Sequence, residues 1–354
     1  MTKSSGRFVY LEVTRLFLVF YLVFPLAFYG LPYLYSLSEG AIRLHFFNTF
    51  SISSNDFFIF FIGHCLLGSG VLAACWKQGV ILRVRRNQSP MFSIITLVLF
   101  LLPFLVSNGY IKSIVMPFFL ILLVCRWPGN RVFLCLFFIA FAQMLVSADR
   151  FPVLLIIMLW LLPFIAKQSF FKIIIFGCFA VLFLVFILQP LRSGILPFSG
   201  YFSDYSYFFK HLHPIYIGAH LSLEAEFPMK ILLAESIPLM KSLTSSVSVI
   251  EVIARMGLPE NIIASGIRHG SNSSMYFSFC GIFVLAGLIL ATRFLNSFVK
   301  ISLIKNSVIM YFVVYGPYFV RRSFGSYFVD IVVLVFVGLL VTFFVFQARC
   351  SSNR

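Results

Sequence analysis

Apolar residues in this chain do not alternate with polar ones; they arrive in blocks. About ten blocks are long enough to read as membrane-crossing helices once tilt and ragged ends are allowed. They lie near residues 15–35, 57–76, 91–107, 110–125, 131–148, 151–166, 171–190, 273–292, 306–320 and 327–347. The third to sixth are short, and either pair also suits a re-entrant arrangement. Pro103, Pro117 and Pro163 fall inside blocks, where neighbouring helices can absorb a kink.

One long break interrupts the pattern, the 82 residues from Leu191 to Asn272. Within it, Met229 to Leu243 and Val247 to Met256 place apolar residues at roughly helical spacing, which predicts amphipathic helices lying on a membrane surface. The chain therefore divides into a bundle of about seven helices over 1–190, a large loop over 191–272 and about three helices over 273–354. The fold class expected is an all-α polytopic membrane protein.

Composition agrees: 61% of residues are hydrophobic, 11% are charged and the mean hydropathy is +1.01, more apolar surface than a soluble domain can bury. A formal charge of +16 would suit a nucleic-acid partner if it formed a patch, but the cations punctuate the apolar blocks instead, so no nucleic acid is expected. Seven cysteines lie outside the long loop without C-x-x-C or His/Cys spacing; this predicts helix-packing residues, and no metal site or cofactor. Lys3, Arg7 and Arg15 precede the first block, which ends in Gly30-Leu31-Pro32-Tyr33 without a small-x-small step, as in an uncleaved first span.

Charge fixes an orientation. With both termini cytoplasmic, sixteen of the 27 basic residues fall on short inside segments: Lys3, Arg7, Arg15, Lys77, Arg83, Arg85, Arg86, Arg126, Arg131, Lys167, Lys172, Arg293, Lys300, Lys305, Arg349 and Arg354. Ten of the eleven acids then fall outside, Glu12 being the exception.

The cations left outside carry the chemical information. Seven of these eleven are arginines, and five of them (Arg150, Arg192, Arg268, Arg321 and Arg322) sit within a few residues of a membrane boundary. Guanidinium forks match phosphate oxygens, and helices starting from the outer side present free backbone N–H groups there. Three such helix starts carry arginine: Ser147-Ala148-Asp149-Arg150-Phe151-Pro152, Arg268-His269-Gly270-Ser271-Asn272 and Arg321-Arg322-Ser323-Phe324-Gly325-Ser326. If they converge, they suit a pyrophosphate; the bland alternatives are snorkelling to headgroups or pairing with nearby acids. Arg255 is a further candidate within the loop. For a general base the candidates are His269, Glu226 and Glu224, in that order. Asp149, Asp204 and Glu251 read more simply as helix caps, and Asp330 as a partner for Arg321 or Arg322. His64, between glycines in the second block, reads as a packed neutral histidine.

Many spans, high Phe and Leu content, one dominant external loop and external arginines together resemble the Wzy-type O-antigen polymerases of Gram-negative bacteria. The stretch Arg268-His269-Gly270-Ser271-Asn272-Ser273-Ser274 with Gly281 and Gly287 resembles that family's Ser/Asn-rich start of a late helix. Arg321-Arg322-Ser323-Phe324-Gly325-Ser326 is similar to its arginine-led last helix, and Ala148-Asp149-Arg150 to an earlier Ser/Asp-Arg step. Where such proteins often carry an acid after the Ser/Asn run, this chain has Met275 and Tyr276.

The resemblance implies a GT-C-like bundle in the bacterial inner membrane, with the large loop periplasmic. It implies inverting or retaining transfer of a growing glycan from undecaprenyl pyrophosphate onto a lipid-linked repeat unit, in lipopolysaccharide O-antigen synthesis. Donor and acceptor are then both undecaprenyl-pyrophosphate-linked oligosaccharides, and the partners are membrane lipids, a chain-length regulator and a flippase. An O-antigen ligase, passing glycan to lipid A core, is the nearest rival. A lipid-linked oligosaccharide flippase is the rival from another class, and it would need a polar path at the midplane.

Overall fold

A backbone with no water beside it must satisfy its own hydrogen bonds, and an uninterrupted apolar block does so most simply as a helix. The computed structural model describes residues 8–24, 27, 81–85, 90–105, 109–147, 151–192, 196–197, 302–316 and 330–343. They are mostly helical. In chain order they form β1 (Phe8–Glu12), α1 (Thr14–Leu18, running on as a π-helical turn Val19–Val23), β2 (Ile81–Arg85), α2 (Pro90–Leu105), α3 (Gly109–Cys125), α4 (Asn130–Ser147) and α5 (Phe151–Ile165). There follow α6 (Phe170–Phe183, continued by a π segment Leu184–Leu188 and the turn Gln189–Arg192), α7 (Ser302–Tyr315) and α8 (Asp330–Phe343). Blocks 57–76 and 273–292, His64 and nearly all of the long loop lie outside the described residues.

The helix boundaries have local causes. Pro90 opens α2, where its missing N–H costs nothing, and Pro152 occupies the first turn of α5 for the same reason. The Gly129 carbonyl accepts from the Val132 and Phe133 amides at 3.0 and 3.2 Å, starting α4. Ser169 does the same for α6, its carbonyl accepting from Ile173 at 3.1 Å. Between α5 and α6 the chain reverses tightly, with Lys167 N donating to Phe164 O and Gln168 N to Ile165 O. Pro117 and Pro163 are carried inside α3 and α5 without ending them.

The strands correct the all-helical expectation. β1 and β2 pair antiparallel, with Tyr10 opposite Arg83 and Glu12 opposite Ile81. The ribbon is two-faced. Leu11, Leu82 and Val84 are buried against the bundle, while Tyr10, Ile81 and Arg85 are exposed on the other side. Both strands do alternate, Phe-Val-Tyr-Leu-Glu against Ile-Leu-Arg-Val-Arg, but each is only five residues long.

At the centre of the bundle stands α7, buried on nearly all sides, with Tyr311 almost wholly enclosed. Phe100, Phe119 and Phe133 fill the space between α2, α3 and α4. The π turn after α1 lays Phe20 and Phe24 over Gly316 and Gly177, where a side chain would stand 2.6 Å from either ring. Small residues at those two points let the first helix approach the end of α7 and the middle of α6. Outward, by contrast, α6 shows Phe171, Ile175, Phe176, Phe179 and Leu182.

Among the described residues, one helix, Phe170–Leu188, is long and apolar enough to cross a membrane by itself, and only 12% of its apolar window is buried. The other apolar helices are shorter. At 1.5 Å per residue, 14 to 18 residues reach roughly 21–27 Å, a little under a typical hydrocarbon core.

Candidate functional site

Contacts between segments distant in sequence bring two sets of helix ends together. One set is basic. Trp127 N, just after α3, donates to Arg85 O of β2 at 2.7 Å. Arg83 N of the same strand donates to Asn306 Oδ1, in the first turns of α7, at 2.8 Å. Arg15 of α1 reaches the α5–α6 turn, where its guanidinium donates to Gln168 O at 2.9 Å. The Arg126 guanidinium lies 4.2 Å above the Phe92 ring at the start of α2. Segments far apart in sequence thus meet at one end, and they carry Arg15, Arg83, Arg85, Arg126, Arg131, Lys167, Lys172 and Lys305. All eight belong to the inside set derived from charge.

The opposite end is where the sequence places the arginine-marked helix starts. Phe151, the residue after Arg150, stacks on Tyr315 at the end of α7, with ring centroids 5.2 Å apart and planes 18° from parallel. Tyr315 leans on Tyr311 one turn back, centroids 4.6 Å apart. The Tyr311 hydroxyl donates to Asp330 Oδ2 at 3.1 Å, tying α7 to the first residue of α8. The last turn of α6, Gln189–Arg192, packs against α4, whose final residue Ser147 leads into Asp149-Arg150. The start of α5, the end of α7 and Asp330 of α8, which adjoin Arg150 and the Arg321-Arg322 pair, therefore lie together.

Of the expected site residues, Arg192 closes the α6 turn. Arg150, Arg255, Arg268, Arg321, Arg322, His269, Glu224 and Glu226 lie outside the described residues. Asp330 accepts a hydrogen bond from Tyr311, and its expected partners Arg321 and Arg322 lie outside the described residues. Sequence reasoning passed over Tyr311, Tyr315 and Phe151; three aromatics in apolar blocks carry no polar signal, although Tyr311 lies nineteen positions before a lone acid at a helix start.

This ladder is a brace. Tyr311 is 1% exposed and Asp330 5%, too enclosed to meet a substrate directly. A buried carboxyl group needs partners, and the bond from Tyr311 of α7 to Asp330 of α8 ties those two helices together. Cys125, Cys135 and Cys178 are free thiols on helices, and no cluster of three His, Cys, Asp or Glu suited to a metal occurs among the described residues. No protein-family model, curated protein or solved structure matches this chain.

Proposed function

We propose that the chain is a polytopic inner-membrane glycosyltransferase, an O-antigen polymerase that moves a growing glycan from undecaprenyl pyrophosphate onto a lipid-linked repeat unit at the periplasmic face. The observation that carries this reading is the polarity of the bundle. Inside-type cations gather at one end, while the elements adjoining the outer arginines gather at the other. Apolar side chains exposed along α6 suit lipid rather than water. Ten spans, a GT-C-like arrangement and cytoplasmic termini complete the proposal.

Undecaprenyl pyrophosphate is a good leaving group, so the chemistry turns on stabilising the charge that develops on its phosphates. Arg150, Arg192, Arg268, Arg321 and Arg322, with Arg255, are the residues proposed for that task. His269, Glu226 or Glu224 takes the proton of the acceptor hydroxyl. The loop over 191–272 guides the glycan above them.

A flippase fits less well. Among the described residues the buried polar side chains are Thr96, Asn306, Ser307 and Asp330, and the one acid of these, Asp330, accepts a hydrogen bond from Tyr311. Thr96 returns its hydroxyl to Phe92 O one turn back at 2.7 Å.

Replacing Arg268 or Arg322 with alanine should abolish long-chain polysaccharide and leave one repeat on lipid A core. Undiminished long chains in both variants would sink the assignment of the pyrophosphate site.

A further inference from the structure

The β1–β2 ribbon has no part in the proposed reaction, yet it is the most unusual element of the fold. Its inner face is fixed. Leu11, Leu82 and Val84 are buried, Arg83 N is bonded to Asn306 and Arg85 O to Trp127. Its outer face combines two kinds of group. Tyr10 is 63% exposed and Ile81 50%, and between and beside them stand Arg83 and Arg85. The Arg83 guanidinium lies 5.6 Å from the Tyr10 ring centre, so the cation and the aromatic present themselves together.

Around the ribbon the charge is one-sided. Among the described residues, eight basic side chains occupy this end against one acid, Glu12. Arg15, Arg85, Arg131, Lys167 and Lys172 are exposed. A soluble anion would be served by the arginines alone and would gain nothing from an exposed tyrosine and isoleucine. A headgroup layer rewards both: amphipathic tips enter the acyl boundary while guanidinium groups sit at the phosphates.

We infer that the ribbon is an anionic-phospholipid site. Tyr10 and Ile81 rest in the cytoplasmic headgroup layer, and the exposed Arg15 and Arg85 bind lipid phosphate beside them. Binding there adds to the contacts that already hold the first helix on α7, Phe17 against Phe312 and Phe20 over Gly316. This inference rests on the membrane reading given above but not on the polymerase chemistry.

The test uses the full chain in nanodiscs of phosphatidylcholine, with or without phosphatidylglycerol. Thermal unfolding should show a higher midpoint with the anionic lipid, and the increment should shrink in high salt. Native mass spectrometry should show retained phosphatidylglycerol. Each cation near an anionic surface is worth roughly five-fold in lipid affinity. Arg85→Gln, a change at an exposed side chain, should therefore weaken retention by about that factor, and Arg15→Gln/Arg85→Gln by on the order of twenty-fold or more. Tyr10→Ser/Ile81→Ser should weaken it without altering the salt dependence. Equal midpoints in the two lipids, or retention unchanged in both arginine variants, overturns the inference. Release of the protein from membranes by alkaline carbonate instead overturns the membrane reading beneath it.

Discussion

Removing the Tyr311 hydroxyl should cost more than any other single-atom deletion in the described core. That oxygen donates to Asp330 Oδ2 at 3.1 Å, and both residues are buried, at 1% and 5% exposure, so water cannot take its place. Losing a buried hydrogen bond of this kind costs about 1–3 kcal/mol. Tyr311→Phe should therefore destabilise the fold by about 2 kcal/mol. Asp330→Ala loses the same bond and some packing besides; a double-mutant cycle cancels the packing loss and isolates the pair. The assay is unfolding of the full chain in mixed micelles by a denaturing detergent, with free energies compared across the four proteins. Tyr10→Phe, altering a tyrosine 63% exposed, serves as the control and should stay within about 0.5 kcal/mol. A coupling energy under about 0.5 kcal/mol would refute the reasoning, since the bond would then contribute no more than a surface contact.

Two further sites test the packing of the bundle. Gly316→Ala places a methyl group 2.6 Å from Phe20 Cδ2 and 2.9 Å from its Cβ, so overpacking should destabilise by about 1–3 kcal/mol. Phe20→Ala in the same chain should recover part of that loss, and additive losses in the unfolding measurement would contradict the contact. Asn306→Ala removes the acceptor of Arg83 N and should cost about 1–3 kcal/mol, while Asn306→Asp, which keeps an oxygen there, should cost less. Equal midpoints for the two Asn306 variants would show that the ribbon is not held through this bond.

How much of this was legible beforehand depends on the range of the interaction. The helices could be read because each is encoded in its own block: Asn130–Ser147 answers to residues 131–148, and Phe151–Ile165 to 151–166. The sorting of cations to one end could be read because insertion acts on each segment separately. The ribbon could not. Phe8–Glu12 and Ile81–Arg85 are separated by two apolar blocks, and a five-residue strand is too short a signal beside blocks of twenty. Nor could the Tyr311–Asp330 pair, because a tyrosine in an apolar run looks the same whether its hydroxyl meets lipid headgroups or a carboxylate. Of the arginines proposed for the site, all but Arg192 lie outside the described residues, and only Phe151, Tyr315 and Asp330 beside Arg150 and the Arg321-Arg322 pair show helix ends that share one side.

The central claim is polymerisation, and the lipopolysaccharide of a strain lacking this gene tests it most directly on a gel. A polymerase predicts loss of the long-chain ladder with a band for core carrying a single repeat. Loss of that band together with the ladder would point to the ligase, and an unchanged ladder would contradict the account.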